Sequence, residues 1–222
     1  QLDFFNQGLM SFIKHSPTPF HAVSNMTSDL LSAGFVSLDE SVEWDLKPNG
    51  RYFVTRNGSS LIAFTVGEND YHGIRMVGGH TDSPCLKVKP APEMKQKGFL
   101  QLGVEVYGGA LLNPWFDRDL SIAGRVTFLN SDEELASGLI DFDRPIAVIP
   151  SLAIHLDRDA NNSRSINAQK DLPVILTQLG ENEDASFREI SKSALRETYP
   201  DVNVKKVLDY ELCVYDVQPP SY

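Results

Sequence analysis

The sequence contains little cysteine and no long apolar run. Only Cys85 and Cys213 occur among its 222 residues, too few for a small secreted domain held together by disulfides. No apolar stretch approaches the roughly 20 residues that a membrane-spanning helix requires. The start of the chain has neither the basic segment nor the apolar core of a signal peptide. These absences predict a cytoplasmic protein with reduced thiols and no membrane partner.

Basic residues are also scarce. The chain has 20 Lys and Arg against 30 Asp and Glu, which gives a formal net charge of −10. Such a surface repels the phosphates of nucleic acids and anionic lipid headgroups. Hydrophobic residues at 41% and charged residues at 23% are ordinary for a globular protein with a core. The composition therefore disfavours nucleic acids and membrane surfaces as partners.

The beginning of the chain has the pattern of two helices. Apolar residues recur at helical spacing from Leu2 to Ile13, which predicts an amphipathic helix. Thr18 is suited to the N-cap of a second helix, and Pro19 to its first position, where the missing N–H is not needed. Gly34 provides a natural end to that helix.

A hairpin and a short strand are predicted next. Residues 52–54 and 61–64 are apolar and flank Asn57-Gly58, the strongest short signal for a hairpin turn. Residues 74–77 form a short apolar run, which predicts a strand that leads into the polar loop after it. Helices, hairpin and strand together predict α/β layering up to about residue 85.

Beyond Cys85 the pattern becomes alternating. Residues 86–89 and 101–107 alternate apolar with polar side chains, as half-solvated antiparallel strands do. The later predictions are strands at 122–129 and 146–149, a strand or short helix at 171–179, a helix at 186–199 and extended chain at 207–217. The sequence thus predicts a second, β-rich module.

The candidate chemistry lies in residues 77–84. Gly78 and Gly79 let the backbone pass close to a bulky or charged group. His80 and Asp82 are two residues apart, so their side chains leave an extended chain on the same side. A neutral imidazole is a good zinc ligand, and a nearby carboxylate can fix its tautomer or reach metal-bound water. Taken alone, a His-x-Asp pair is better explained by a hydrogen-bonded loop histidine.

Short motifs along nearly the whole chain add context to this pair. They are SPTPFHAV at 16–23, GHTDSPCL at 79–86, YGG at 107–109, WFDRDL at 115–120, AGRV at 123–126, PSLAIHL at 150–156 and INAQKDLP at 166–173. In this order they resemble the aspartyl aminopeptidases, a family of cocatalytic zinc exopeptidases. The resemblance favours the metal-ligand interpretation of His80 over the loop histidine.

The resemblance implies roles for three residues. His80 corresponds to a zinc-binding histidine of the family, and Asp82 to the catalytic-site aspartate that orients it. His155 corresponds to a histidine of the β-rich module that reaches the substrate pocket, sometimes across a subunit boundary. The alternative for His155 is a hydrogen-bonded histidine on a β surface. For the charged residues 117–119, an ion-pair network is favoured over a charged site.

The resemblance also implies a fold. The expected class is α/β, with residues 1–85 as the first part of a zinc-exopeptidase α/β sandwich. Residues 86–210 are expected to form a β-rich dimerisation or lid domain, and residues 211–222 to return toward the remainder of the peptidase domain. If the inserted domain leaves and rejoins the first one in this way, Cys85 and Cys213 mark its two ends and lie near each other, without a disulfide.

The implied activity is the removal of acidic N-terminal residues, Asp or Glu, from peptides by a homo-oligomer that assembles through the β-rich domain. Two zinc ions would polarise the scissile carbonyl and activate a bridging water. The family's other metal ligands and its general-base glutamate lie beyond the residues matched here, and catalytic zinc needs at least three protein ligands. We therefore expect this chain alone to be inactive and to bind zinc weakly or not at all. The alternative function is a non-catalytic oligomerisation or binding module with exposed strand edges.

Overall fold

The computed structural model describes residues 2–68, 73–180 and 185–221. Contacts group these residues into two units. The first unit runs to Ser83 and includes the last residues from Pro219, and the second unit is Pro84–Gln218. The domain limits predicted from the sequence (1–85, 86–210 and 211–222) stay a prediction about the modules of the whole protein.

The first unit begins with the two predicted helices, α1 (Leu2–Lys14) and α2 (Pro19–Ser32). The Thr18 side chain accepts a hydrogen bond from the His21 N–H at 3.4 Å, and Pro19 opens α2 as expected. Gly34 follows the helix with a φ of 80°, the left-handed conformation that glycine adopts without strain. Both helices and the cap of the second are therefore confirmed.

A three-stranded sheet completes the first unit. It has the order β1-β2-β3, with β1 at Val36–Ser37, β2 at Arg51–Arg56 and β3 at Ser60–Thr65. Asn57 and Gly58 both have positive φ, 53° and 61°, which matches the right-handed twist of the two antiparallel strands. The predicted hairpin is confirmed, and β2 buries Phe53 at its centre.

The predicted strand at residues 74–77 is wrong for this structure. Residues 73–80 have no regular secondary structure, and Ile74, Met76 and Val77 are among the most exposed apolar side chains of the described residues. A strand exists only where a neighbour pairs with its N–H and C=O groups. Among the described residues no strand pairs with this segment, so its apolar character alone does not order it.

The second unit is built on a six-stranded sheet with the order β7-β6-β9-β4-β5-β8. The strands are β4 (Cys85–Gln96), β5 (Phe99–Tyr107), β6 (Leu120–Asn130), β7 (Leu135–Asp141), β8 (Val174–Gln178) and β9 (Val204–Asp216). Every neighbouring pair is antiparallel. The strands predicted at 86–89, 101–107 and 122–129 and the extended chain at 207–217 are confirmed, whereas β7 was not predicted.

Residues 146–149 bond to both β6 and β8 and so close the sheet on itself. The Ala147 N–H donates to the Leu120 carbonyl at 3.0 Å, and Val148 and Ile175 exchange two hydrogen bonds of 3.1 and 2.9 Å. These contacts are isolated bridges, so the strand predicted at 146–149 is present only in this reduced form. The sheet therefore curves toward a barrel, whose interior holds the core.

The core of the second unit is filled from the sheet and from one helix, α4 (Phe187–Thr198). Phe187, Ser191 and Leu195 recur at intervals of four on the buried side of α4, and this helix packs on β7 and β9. Each fully buried large apolar side chain stabilises the fold by about 1.5–3 kcal/mol. A short helix, α3 (Ala168–Asp171), precedes β8, so the ambiguous segment 171–179 contains the end of a helix and a strand. None of the described helices combines the length and apolar character needed to cross a membrane.

The two cysteines lie on neighbouring strands of this sheet. Lys87 of β4 pairs with Cys213 of β9. Cys85 lies two residues before Lys87 in β4, so its side chain is on the same face of the sheet as that of Cys213. Neither cysteine forms a disulfide in the part of the chain that the structure describes, and the pKa of Cys213 is raised, first by its hydrogen bond with Cys85 and then by burial. The predicted closeness of the two cysteines is confirmed.

Candidate metal-binding and substrate-binding residues

The loop that carries His80 is tied to the hairpin of the first unit. The Thr81 hydroxyl donates a hydrogen bond of 2.7 Å to the carbonyl oxygen of Ser59, which lies in the turn between β2 and β3. This contact holds the loop next to a rigid turn although residues 73–80 have no regular structure. The hairpin is therefore the element that positions His80.

The His80 ring is held by one nitrogen and exposed at the rest. Its Nδ1 lies 2.7 Å from the backbone carbonyl oxygen of Asp82, and its side chain is 81% exposed. Because a carbonyl only accepts hydrogen bonds, Nδ1 is the donor in this contact, and in the neutral imidazole Nε2 then carries the lone pair. A histidine that donates one ring N–H to a carbonyl and offers the other nitrogen has the arrangement typical of a metal ligand.

Asp82 contacts His80 in a different way from the one predicted. The sequence suggested that the carboxylate fixes the tautomer, whereas the hydrogen bond is made by the Asp82 backbone carbonyl. The carboxylate Oδ1 lies 3.5 Å from Nδ1, beyond the usual range for a hydrogen bond. The carboxylate is thus beside the imidazole but is not the group that orients it.

The described residues supply one candidate zinc ligand and do not complete a site. A catalytic zinc ion is held by at least three protein ligands. In the part of the chain that the structure describes, no group of three or more His, Cys, Asp and Glu side chains is arranged to hold a metal ion. His80 therefore fits a single position of a zinc site, which needs further ligands to hold the metal.

His155 lies in the second unit, whereas His80 and Asp82 lie together in the first. His155 occupies a turn, in which the Leu156 N–H donates to the Ala153 carbonyl at 2.8 Å, and its side chain is exposed. The alternative of a histidine on a β surface is not what is observed, because residues 151–166 contain no strand. An exposed imidazole on a turn is accessible to a ligand.

Asp117 connects the WFDRDL motif to the segment before His155. Its carboxylate accepts the Ser151 N–H at 2.7 Å, and its own N–H donates to the Ile149 carbonyl at 2.9 Å. The pKa of the Asp117 carboxyl lies below its ordinary value, chiefly because of the hydrogen bonds from Ser151, and the positive charge of Arg164 lowers it further. Asp117 therefore acts here as a fixed anionic acceptor.

Arg164 and Asp157 are residues of this region that sequence reasoning missed. The guanidinium of Arg164 lies 4.0 Å from the centre of the Phe116 ring and pairs with Asp157 at 3.7 Å. Neither residue stands in one of the motifs that carry the resemblance, so no sequence signal pointed to them. One ion pair of the network predicted around residues 117–119 is present, between Arg118 and Asp216.

Comparison with known sequences places the chain in a family. A family model described as aminopeptidase I zinc metalloprotease (M18) matches residues 12–221. The probable M18 family aminopeptidase 2 of Pseudomonas fluorescens (strain Pf0-1) is 56% identical over 215 residues, which are 96% of this chain and 50% of the relative. The protein with the same description in Azotobacter vinelandii (strain DJ) is also 56% identical over 215 residues, with the same coverage. The chain spans about half the length of the curated relatives it matches.

Solved structures agree with this placement. The structure of Chaetomium thermophilum mApe1 is 33% identical, with a TM-score of 0.85, over 99% of this chain and 52% of that chain. The S. cerevisiae mApe1 dodecamer is 26% identical, with a TM-score of 0.76, over 96% of this chain and 48% of that chain. These likenesses confirm the predicted α/β class. Since the family model covers nearly all of its residues, this chain belongs to the aminopeptidase I zinc metalloproteases of family M18.

Proposed function

We propose that this chain is the N-terminal part of a zinc-dependent aminopeptidase that removes acidic residues, Asp or Glu, from the N-termini of peptides. The observation that carries the proposal is the His80 imidazole, whose Nδ1 is held by the Asp82 carbonyl at 2.7 Å. This contact leaves Nε2 as an exposed lone-pair donor. The preference for acidic residues rests on the resemblance of the motifs, and the family supports the aminopeptidase activity.

Three residues of the chain receive roles in this proposal. His80 binds one zinc ion through Nε2, and Asp82 keeps the ring in place through its carbonyl while its carboxylate serves the catalytic site. His155 contacts the substrate. When bound in such enzymes, zinc polarises the substrate carbonyl and activates water. The remaining ligands and the general base are contributed by the rest of the whole protein.

The chain alone is proposed to be inactive. A zinc site needs at least three protein ligands, and the described residues contain no cluster that would supply them. The whole protein is proposed to be a cytoplasmic homo-oligomer that assembles through the β-rich unit. The related S. cerevisiae mApe1, whose structure is a dodecamer, supports this assembly.

Substitution of His80 in the full-length protein that contains this chain tests the proposal. We expect His80→Ala to lower kcat/KM for Asp and Glu aminoacyl-coumarin substrates by at least about 100-fold, because residues that merely orient a zinc ligand are already worth about 10–100-fold. Zinc content, measured by mass spectrometry of the metal, falls with the activity. A leucyl substrate tests the acidic preference, and it is cleaved poorly by the unmodified enzyme.

His15 provides a matched control for this substitution. Its Nδ1 also lies close to a backbone carbonyl, 2.8 Å from that of Ser11, and it is exposed. His15→Ala therefore removes an imidazole in a similar local setting, and we expect it to leave activity and zinc content unchanged. Full activity in His80→Ala would remove the metal assignment, and rapid cleavage of the leucyl substrate would remove the acidic specificity.

A non-catalytic oligomerisation module is the second candidate function. It is favoured by β7, which lies at one end of the sheet order and exposes Leu135, since such an edge can pair with another copy. Light scattering of this chain separates the candidates. A multimer without peptidase activity supports the module, whereas activity of these 222 residues alone contradicts the proposed dependence on further ligands.

A further inference from the structure

The loop of residues 150–166, called here the His155 loop, is ordered by turns and not by a sheet or helix. Successive turns are closed by backbone hydrogen bonds from Leu156 to Ala153 at 2.8 Å and from Asn162 to Asp159 at 2.9 Å. Within the loop apolar side chains do little to hold it, since Leu152 is 59% and Leu156 is 76% exposed, whereas Ile166 at its end packs against the core. Burial in the core therefore does not fix the loop before Ile166, and polar contacts must do so.

The first of these contacts holds the beginning of the loop. Asp117 has a φ of 58°, a left-handed conformation that aspartate tolerates better than most residues. In this conformation its N–H reaches the Ile149 carbonyl while its carboxylate accepts the Ser151 N–H. The two contacts bracket Pro150, so the chain enters the loop in one direction.

The second contact holds the end of the loop. The Arg164 guanidinium lies over the Phe116 ring and pairs with Asp157, and the two charged side chains are only 20% and 27% exposed. Phe116 and Asp117 are neighbours in the sequence. One dipeptide thus holds both ends of the His155 loop, and the Arg164 charge also acts on the Asp117 carboxylate.

We propose that Asp117 and Arg164 are positioning residues, which hold the His155 loop in one conformation and thereby place His155 for the substrate. This inference rests on the proposed function, in which His155 contacts the substrate. A loop that is fixed at both ends presents the imidazole at a defined point. A small displacement of a substrate-positioning group lowers catalytic efficiency by one to two orders of magnitude.

Hydrogen–deuterium exchange on this chain tests the clamp without reference to activity. We expect Asp117→Ala and Arg164→Ala to speed exchange of the Leu156 and Asn162 amides by about 10-fold or more, because local opening becomes easier. The core strands β6 and β9 keep their protection. If the loop amides exchange at the unmodified rate in both variants, the clamp does not exist.

Two further variants separate the clamp from a general loss of charge. Asp117→Asn keeps a side-chain oxygen that accepts the Ser151 N–H and tolerates positive φ, so it is expected to restore most of the protection lost in Asp117→Ala. Arg158→Ala removes an exposed arginine from the same loop and is expected to change nothing. Faster exchange in Arg158→Ala equal to that in Arg164→Ala would contradict the specific role of Arg164.

Kinetics of the full-length enzyme test whether the clamp acts through His155. We expect Asp117→Ala to raise KM or lower kcat/KM by about 10-fold in the same pattern as His155→Ala. The double variant should be no worse than His155→Ala alone, since residues that act through one another are not additive. Additive losses in the double variant overturn the positioning role and indicate a general structural effect.

The two kinds of measurement keep this inference separate from the proposed function. If His155→Ala has full activity, the substrate role of His155 fails and the positioning role falls with it, whereas the exchange data still decide whether the clamp is present. If His155→Ala is impaired and Asp117→Ala is not, the proposed function stands and only the positioning role is overturned.

Discussion

Gly124 is expected to be irreplaceable, and its substitution gives the sharpest test of the second unit's packing. It lies in β6 opposite Leu212 of β9 and has a φ of 151°. A Cβ atom built on Gly124 would lie 2.0 Å from the carbonyl oxygen of Glu211. That oxygen belongs to the backbone of a central strand, which cannot move aside as a flexible side chain could.

The destabilisation follows from these two features. A side chain forced into a packed site typically costs about 1–3 kcal/mol, and a non-glycine residue in a sparsely populated backbone region costs about 1–3 kcal/mol. We therefore expect Gly124→Ala to lower the free energy of unfolding by about 2–6 kcal/mol. For a unit of this size the melting temperature falls by roughly 6–24 °C.

Differential scanning calorimetry of this chain measures the effect, with Gly109→Ala as the control. A Cβ atom on Gly109 would meet no heavy atom within 4 Å, and this glycine lies exposed after β5. We therefore expect its substitution to change stability by less than about 0.5 kcal/mol. A melting temperature of Gly124→Ala within about 2 °C of that of the control would refute the close approach of β6 and β9 at this position.

Two further predictions concern the candidate site. Asp82→Asn keeps the backbone carbonyl that holds His80, so we expect the zinc affinity of the full-length enzyme to fall by less than about 10-fold. Loss of the carboxylate beside the zinc-binding imidazole is expected to lower kcat by at least about 10-fold. Metal analysis and kinetics measure the two effects, and parallel losses would contradict this division. Since the folded-state pKa of Asp117 is depressed, its contact with Ser151 stabilises the fold above the unfolded pKa, about 3.9, and is lost as pH falls through the lower folded value. The Ser151 amide resonance should therefore titrate with a midpoint below about 3.9, and a midpoint above it would contradict the assignment.

The parts of the fold that could be predicted are those that local physics determines. Thr18 and Pro19 begin α2 because their side chains suit the first turn of any helix, whatever packs against it. Asn57 and Gly58 form the hairpin turn because both tolerate positive φ, and alternation in residues 101–107 reflects one buried and one exposed face. None of these features depends on a distant partner.

The parts that were mispredicted depend on partners elsewhere in the chain. Residues 74–77 have the composition of a strand, but the described residues provide no neighbour for them. Residues 146–149 do find neighbours, yet only as isolated bridges to β6 and β8. β7 was missed because its sequence, LASGLID, lacks strong alternation and contains Gly138, and its pairing with β6 decides its structure.

The candidate site likewise has features that local sequence predicts and features that depend on the folded chain. A local pattern, glycines and a histidine after an apolar run, drew attention to His80, and the resemblance of the motifs favoured it as a metal ligand. That the Asp82 carbonyl and not its carboxylate holds the ring could not be predicted, because both groups belong to the same residue and the loop's path decides between them. Arg164 and Asp157 could not be found, since their contacts with Phe116 and with each other arise only when the loop is folded.

The contacts of Asp117 change what the sequence motifs mean. WFDRDL at 115–120 and PSLAIHL at 150–156 carry the resemblance as separate motifs. The charged residues of the first motif have the composition of a charged functional site. In the structure Asp117 of the first motif accepts the N–H of Ser151 in the second, so the two motifs form one structural element that contains His155. Likewise, AGRV at 123–126 contains Gly124 because the strand beside it leaves no room for a Cβ atom. Asp117 and Gly124 are therefore explained by the geometry that holds one loop and one sheet in place, whereas the role that we propose for His155 is direct contact with a substrate.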